Sequence, residues 1–392
     1  MSQRQVPSSV FLVSLVFGLT CVAQQSPPAR VVDLAATDGI TLKATYFAAG
    51  KAGPGVLLLH QCNRQRKVWD DLAARLAASG VNVLTVDFRG FGESGGTPLD
   101  KLSPDEDAKL FAEKFPADVD TAFRYLVSQP GVTRDVIGAG GASCGVNQAV
   151  QLARRHPEVK SLVLLSETTD REGREFLRHS PHLPLFLAAA DDDYAEAEIM
   201  QWLFSLAPNP ANKFERYAVG GHGVEMFTAH RELPGMIVDW FGTTLRAAPS
   251  TATSAASASG SRENHFLEMM DRPDGVSKAT QMFAEARQRD PKALLFSEAV
   301  MNRLGYDQLQ SGDTKGAVEL LKLNVTAYPN SANAYDSLGD AYLADGQKDL
   351  ARQNAKLALE HLAADTTDTE AHRNEIKANA EQKLKQLGEV HP

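Results

Sequence analysis

Residues 56–245 alternate short apolar, β-branched runs with amphipathic stretches of helical period, and this alternation limits the chain to a narrow class of folds. The runs are apolar throughout, as is typical of strands that are covered on both faces. Because a helical stretch follows almost every run, the pattern predicts an α/β fold, with a mostly parallel sheet between two layers of helices. Residues 31–36 and 40–47 flank a Thr-Asp-Gly turn and predict a hairpin at the sheet edge. The predicted strands are 56–60, 81–88, 136–141, 162–166, 185–190 and 214–219, and the predicted helices lie near 68–79, 116–129, 145–156, 194–206 and 226–246.

A serine between two glycines follows the third of these runs, in the segment Gly141-Ala142-Ser143-Cys144-Gly145. A helical stretch follows directly, so this G-x-S-x-G element has the strand–turn–helix context in which it presents a nucleophile. In so tight a turn, side chains at the two glycine positions would collide with the neighbouring strand and helix, and the hydroxyl stands clear of the sheet near the first helical amides. We therefore predict Ser143 as the nucleophile. Cys144 does not fit, because a motif centred on it would need glycines at 142 and 146.

A serine hydroxyl attacks a carbonyl at neutral pH when a base takes its proton and a carboxylate orients that base. In folds where a strand–turn–helix element of this kind carries the nucleophile, the order along the chain is serine, acid, histidine. His222 follows the last predicted strand, between glycines that let the loop lay its imidazole beside the serine. The acid is expected after the run 185–190, where three aspartates are consecutive and cannot all point inward. Asp193 and Asp192 are the two candidates for the acid, and the pattern of the segment alone leaves both open.

The reaction also needs two backbone amides that bind the oxyanion of the tetrahedral intermediate. The amide of Cys144, directly after the nucleophile, is the first candidate. The loop after residues 56–60 supplies the second, with Cys62 favoured and Gln61 as the alternative. If both assignments hold, the backbones of Cys62 and Cys144 lie within disulfide range, so a disulfide that forms after export is one hypothesis and two buried free thiols are the alternative.

Together these segments resemble the α/β-hydrolase superfamily and, within it, the dienelactone-hydrolase-like serine hydrolases, over about residues 30–246. The segments that carry the resemblance are 57–60, 87–95, 141–145, 184–193 and 221–223. In relatives the acid stands nine residues after the proline that opens its strand, which implies Asp193. The resemblance implies hydrolysis of a small carboxylic ester or lactone through an acyl-enzyme on Ser143, with no cofactor and no metal. Relatives usually have glycine where this chain has Gln61.

The pattern of residues 263–392, after the predicted linker, predicts helices and repeats with a period of 34 residues. It resembles tetratricopeptide repeats, whose stacked helix pairs present a groove that commonly binds a peptide or protein partner. A helical domain that packs on the hydrolase, or that mediates dimerisation, is the alternative. The residues at pattern positions are Tyr335, Leu338, Gly339, Tyr342, Gly346, Ala351 and Ala358, and, one repeat earlier, Met301, Leu304, Gly305, Gly312 and Ala317.

The remaining segments predict export and a boundary between domains. Residues 1–23 read as a signal peptide that is cleaved after Ala23, so we expect a periplasmic or secreted protein. An uncleaved N-terminus, or one lipidated at Cys21, would instead anchor it to a membrane. Residues 247–262 are rich in Ser, Thr and Ala and predict a flexible linker between the hydrolase domain and the helical domain.

Composition excludes one class of partner and leaves two further functions open. The net charge is −9 and no basic run is present, so nucleic acid is not an expected partner. A peptidase of the same fold would use the same three residues. A non-catalytic protein that binds a partner through its helical repeats would need none of them.

Overall fold

The computed structural model describes residues 27–246, 266–267, 269–270, 275–364 and 369–388. The predicted signal peptide, residues 1–23, and the predicted linker, residues 247–262, lie outside the described residues. We call residues 27–246 the sheet domain, and the described residues from 266 onward the helical domain.

Within the described part of the chain, eight strands form one sheet in the order β1-β2-β4-β3-β5-β6-β7-β8. The first two pair antiparallel as the predicted hairpin, β2 pairs antiparallel with β4, and the others run parallel. The strands are β1 Arg30–Ala35, β2 Thr41–Phe47, β3 Gly53–Leu59, β4 Asn82–Val86, β5 Val132–Ala142, β6 Val159–Leu165, β7 Leu185–Ala190 and β8 Lys213–Tyr217. The alternation in the sequence therefore predicts both the strands and their mostly parallel pairing.

Helices cover both faces of this sheet, as the apolar runs require. Successive side chains of a strand point to opposite faces, and in β3 Val56 and Leu58 enter one core while Leu57 and Leu59 enter the other. All four are fully buried. The helices are α1 Asp70–Ala78, α2 Pro104–Lys109, α3 Phe115–Ser128, α4 Cys144–Arg155, α5 Arg171–Arg178, α6 Glu196–Leu206, α7 Met226–Ala229 and α8 Leu233–Thr244.

Four of these helices differ from the sequence prediction. The single helix expected at 226–246 is divided into α7 and α8, and Pro234 stands in the first turn of α8, where its missing N–H costs nothing. Helices α2 and α5 were not predicted, because neither segment has an extended apolar face. Each begins at a side-chain cap: Ser103 accepts from the amide of Glu106, and Asp170 accepts from the amide of Gly173.

The helical domain contains two helix pairs in which corresponding helices start 34 residues apart, at residues 298 and 332 and at residues 314 and 348. Gly305 shows why small residues recur in this pattern, since a Cβ atom there would lie 2.6 Å from the Leu321 side chain. The helices are α9 Gly275–Arg289, α10 Glu298–Gln310, α11 Thr314–Ala327, α12 Ala332–Ala344, α13 Lys348–Leu362 and α14 Glu370–Gln386. None of the helices that the structure describes is long and apolar enough to cross a membrane.

The two domains share a buried apolar cluster. Trp202 and Leu206 on α6 pack with residues of the helical domain that include Phe266, Phe296 and Met301. All five are at least nine-tenths buried. Helix α6 directly follows the loop after β7, so this contact brings the helical domain to the edge of the sheet at which the predicted functional residues lie.

Candidate active site

Ser143 occupies the sharp turn between β5 and α4. Its backbone has φ 49° and ψ −127°, a conformation that costs free energy for a residue with a side chain. The amide of Ser143 donates to the carbonyl of Leu165 on the adjacent strand (2.9 Å) and so fixes the turn against the sheet. Both flanking glycines are required: a Cβ atom at Gly141 would lie 2.2 Å from the carbonyl oxygen of Gly145, and one at Gly145 would lie 2.5 Å from that of Leu59.

Asp193 and His222 follow neighbouring parallel strands, β7 and β8, and their side chains meet. Nδ1 of His222 lies 2.8 Å from Oδ2 and 3.0 Å from Oδ1 of Asp193. Asp192 has a different partner set, because its Oδ1 accepts from the amides of Gly220 (2.9 Å) and Gly221 (3.0 Å) and so holds the loop that carries the histidine. Asp191 pairs with Arg216 on β8. The three consecutive aspartates therefore make three separate contacts.

The charges around His222 favour its protonated form. Burial alone would lower the pKa of this histidine, but the hydrogen bond and charge of Asp193, with smaller contributions from Glu167 and Glu225, outweigh it and raise the pKa above its ordinary value. Since the Asp193 carboxylate can only accept, the proton of neutral His222 lies on Nδ1, and Nε2 is an acceptor. An imidazole in this state can take a proton from a hydroxyl.

The loop of His222 adjoins the turn of Ser143. A Cβ atom built on Gly223 would lie 3.4 Å from the Cβ of Ala142, so the residues next to the histidine and next to the serine are in van der Waals range. Gly223 has φ +61°, which glycine adopts without strain. The structure thus brings the predicted nucleophile, acid and base to one edge of the sheet.

The two predicted oxyanion residues are joined. Sγ atoms of Cys62 and Cys144 form a disulfide, with the Cα atoms 5.8 Å apart. This bond connects the loop after β3 to the first residue of α4, which lies next to Ser143. It therefore links the two segments whose amides the sequence predicts as oxyanion donors.

Gln61, which stands where relatives usually have glycine, connects the loop after β3 to the loop of the histidine. Its side chain is fully buried, and its Oε1 accepts from the amide of Val224 (2.9 Å), two residues after His222. The same oxygen would lie 2.4 Å from a Cβ atom at Gly223, so the two positions fit each other. The departure from glycine was visible in the sequence, but this hydrogen bond was not.

His60, which directly follows β3, holds the loop after β3 through two hydrogen bonds. Its Nδ1 donates to the carbonyl of Gln61 (2.8 Å), and its Nε2 accepts from the amide of Phe88 (3.0 Å). Burial lowers the pKa of His60, so it is neutral with its proton on Nδ1. Nearby, Arg66 and Asp87 form a fully buried ion pair between the segments that follow β3 and β4.

Sequence reasoning missed two residues at the edge of the site, Glu167 and Tyr194. Glu167 follows β6, raises the pKa of His222, and accepts from Nη1 of Arg303 on α10 (2.8 Å). Tyr194 follows Asp193 and contacts the helical domain. Among the described residues, no group of three or more His, Cys, Asp or Glu side chains is placed to hold a metal ion.

Residues 51–174 match the family model described as Hydrolase_4, serine aminopeptidase, S33. An uncharacterized protein of Mycobacterium tuberculosis, Rv2307c, is 29% identical over 216 residues, which cover 49% of this chain and 71% of the relative. The thiohydrolase aneE of Aspergillus aculeatus is 29% identical over 145 residues, which cover 36% of this chain and 43% of the relative.

Solved structures resemble a little more than half of this chain. The esterase Pf2001 of Pyrococcus furiosus has 18% identity and a TM-score of 0.45, over 56% of this chain and 93% of the esterase. A dienelactone hydrolase of Anabaena variabilis has 19% identity and a TM-score of 0.45, over 57% of this chain and 100% of that hydrolase.

Proposed function

We propose that this chain, an α/β-hydrolase with a helical domain behind it, hydrolyses small carboxylic esters or lactones through an acyl-enzyme on Ser143. Oγ of Ser143 attacks the carbonyl carbon while Nε2 of His222 takes the hydroxyl proton. The tetrahedral intermediate collapses with loss of the alcohol, which receives that proton from His222. Water, deprotonated in turn by His222, then releases the acid and restores the serine hydroxyl.

The observation that carries this proposal is the contact between the Asp193 carboxylate and Nδ1 of His222. A carboxylate at this nitrogen fixes the tautomer that can accept a proton at Nε2, and it stabilises the imidazolium that forms during the attack. The amides of Cys62 and Cys144 are the proposed oxyanion donors. The disulfide between these residues supports that role, because it holds both segments beside Ser143.

A small substrate is proposed because the described chain between β6 and β7 contains one short helix, α5, and no long insertion that would cover the site. Thioesters belong in the same class of acyl substrates, and the similarity to the thiohydrolase aneE supports testing them. We include export in the proposal, since the Cys62–Cys144 disulfide suits an oxidising compartment.

The test is a panel of chromogenic esters, lactones and thioesters of increasing acyl length, with Ser143→Ala measured beside the wild-type chain. We expect at least one ester to be turned over and Ser143→Ala to lower kcat by a factor of about 10³ or more. Ser128→Ala is the matched control, because its exposed hydroxyl donates to the carbonyl of Tyr125 and accepts from Gln129, both on or next to α3. A fluorophosphonate probe should label the wild-type chain and not Ser143→Ala. Equal labelling of the two would refute the assignment of the nucleophile.

An aminopeptidase is the second candidate, because the family model that residues 51–174 match is described as a serine aminopeptidase. It would use Ser143, Asp193 and His222 in the same way, with an amine as the leaving group. A panel of aminoacyl p-nitroanilides distinguishes the two. Turnover of anilides at a higher kcat/KM than that of every ester would favour the peptidase.

A further inference from the structure

The helical domain contacts the sheet domain at the side of the site that carries the acid. Arg303 on α10 donates to Glu167 (2.8 Å), which follows β6. Arg174 on α5 pairs with Asp307, one turn further along α10 (2.7 Å), and both side chains of this pair are nine-tenths or more buried. These pairs hold α10 against the segments that follow β6. Together with the apolar cluster around Trp202, they make the docking of the two domains extensive and specific.

Tyr194 extends this contact to the residue next to the acid. Its hydroxyl accepts from Nδ2 of Asn333 on α12 (2.6 Å). Its ring stacks on that of His372 in the first turn of α14, with the centroids 3.6 Å apart. Asn333 is itself fixed, since it also donates to Oε1 of Glu298 on α10 (3.0 Å). Two helices of the helical domain thus contact this tyrosine, and a third holds one of its partners.

The backbone of Tyr194 is in the left-handed region, with φ +33°. A residue with a side chain adopts this conformation at a cost in free energy, and such a conformation persists only where surrounding contacts hold it. The left-handed conformation of Tyr194 turns the chain between Asp193 and α6. The Asp193 carboxylate therefore contacts His222, while the ring of Tyr194 contacts the helical domain. The contacts with Asn333 and His372 help to offset the strain, and both residues belong to the helical domain.

We propose that Tyr194 is a positioning residue for the acid Asp193, held in place by the helical domain through Asn333 and His372. The inference rests on the proposed function and deepens it, because it makes the helical domain part of the catalytic unit. The face of α10 and α12 that contacts Tyr194 and Glu167 then has the sheet domain of the same chain as its partner.

The experiment uses the full chain and three variants. Tyr194→Ala removes the ring and the hydroxyl, and Tyr194→Phe keeps the stack on His372 but loses the hydrogen bond to Asn333. Tyr335→Ala is the matched control, because Tyr335 stacks on His361 within the helical domain, with centroids 4.8 Å apart, and packs against an apolar cluster of that domain. Fluorophosphonate titration counts active sites, so kcat is expressed per folded enzyme.

We expect Tyr194→Ala to lower kcat about 10-fold to 100-fold with little change in KM, since a small displacement of a catalytic group has effects of this size. The acid limb of the kcat/KM profile should move to lower pH. Asp193, Glu167 and Glu225 all face His222 and raise its pKa, and a displaced Asp193 raises it less. Tyr194→Phe should retain kcat within about threefold, because the ring still fills its place. Tyr335→Ala should leave both kcat and the acid limb unchanged.

Titration of the His222 imidazole by NMR gives a readout that does not depend on turnover. Its pKa should fall in Tyr194→Ala and stay as in the wild-type chain in Tyr335→Ala. If the chain shows no esterase activity and no labelling, the proposed function fails, while this titration still reports whether Tyr194 holds Asp193 on His222. An unshifted titration in Tyr194→Ala, or equal shifts in Tyr194→Ala and Tyr335→Ala, would overturn the inference.

Discussion

The two sides of the candidate site are held by different parts of the chain. On the serine side, the turn of Ser143 and the loop after β3 are joined by the Cys62–Cys144 disulfide, and Gln61 ties that loop to the histidine loop, all within the sheet domain. On the acid side, the residue after Asp193 is held by α12 and α14, whose residues lie more than 130 positions away in the sequence.

This difference separates what is fixed locally from what depends on docking. The serine side needs only its own domain, and a covalent bond and a buried hydrogen bond keep its loops in register. The acid side is complete only when the helical domain is in place. We therefore expect changes on the serine side to alter the stability of the sheet domain, and changes at the domain contact to alter the base through its acid.

The largest effect is expected from the acid itself. Asp193→Asn should lower kcat by a factor of about 10³ to 10⁴, because the amide no longer fixes the tautomer of His222 or stabilises its charge. Asp192→Asn should lower it less than about tenfold, since an amide oxygen can still accept from Gly220 and Gly221. Ester hydrolysis by the two variants, each normalised by active-site titration, checks this. A larger loss in Asp192→Asn would transfer the role to Asp192.

Two buried ion pairs should differ in how much they contribute to stability, because one lies within the sheet domain and the other joins the two domains. Asp87→Ala removes the fully buried carboxylate that pairs with Arg66 and accepts from the amides of Arg66 and Glu93, and only the half-exposed Glu93 carboxylate remains to pair with Arg66. We expect a loss of about 3–5 kcal/mol in the free energy of unfolding. Asp307→Ala breaks the pair between the domains at a cost of about 1–3 kcal/mol, because Arg174 still donates to the carbonyl of Thr169. Denaturant unfolding measures both.

The exposed pair of Arg75 and Asp71 is the control for these two variants. Asp71→Ala should cost no more than about 0.5 kcal/mol, because solvent screens this pair. A similar loss in Asp71→Ala and Asp307→Ala would show that the contact between the domains adds little stability.

Sequence patterns predicted the parts of the fold that depend on local chemistry. Apolar runs such as 185–190 predicted the strands, and the glycines around Ser143 predicted the sharp turn, because no other residue fits so close to a neighbouring strand. Helices α2 and α5 have little apolar periodicity. The local signals for these helices are the caps Ser103 and Asp170, and a single capping residue does not predict a helix by itself.

The contacts that hold the acid side had no local signal. Arg174 and Asp307 lie 133 positions apart, and in the sequence each looks like a solvated surface charge, yet they pair in a buried contact. Tyr194 is not a residue type that indicates a left-handed backbone, so its φ of +33° could not be predicted from its neighbours. Long-range docking decides both features, and a single sequence shows docking only through its apolar residues.

Reduction of the Cys62–Cys144 disulfide should show how much this bond stabilises the serine side of the site. The chain from residue 24 onward contains only these two cysteines, so thiol titration after denaturation should find none without reductant and two with it. The bonded residues are 82 positions apart in the sequence, and a disulfide stabilises mainly by restricting the unfolded chain. Reduction should therefore lower the free energy of unfolding by about 2–4 kcal/mol. Two titratable thiols without reductant would contradict the bond.

The smallest effects are expected from the two glutamates near His222, of which Glu167 contacts the helical domain and Glu225 contacts the loop after β3. Glu167 is paired with Arg303 of the helical domain, and Glu225 with Arg64 after β3, and each raises the pKa of His222. Glu167→Gln and Glu225→Gln should therefore both lower that pKa and move the acid limb of kcat/KM to lower pH, with less than about a threefold change in the maximum.

The two variants should also change how the stability of the fold depends on pH, because protonation of His222 is linked to folding. Because the folded pKa of His222 is raised, the stability from its protonated form is present below the ordinary histidine pKa and is lost as pH rises through the folded value. Each glutamine variant should lose part of the stability that protonated His222 contributes at low pH. Glu167 contributes more than Glu225, so Glu167→Gln should shift the limb further if the domain contact governs the base. A larger shift in Glu225→Gln would place that control on the serine side.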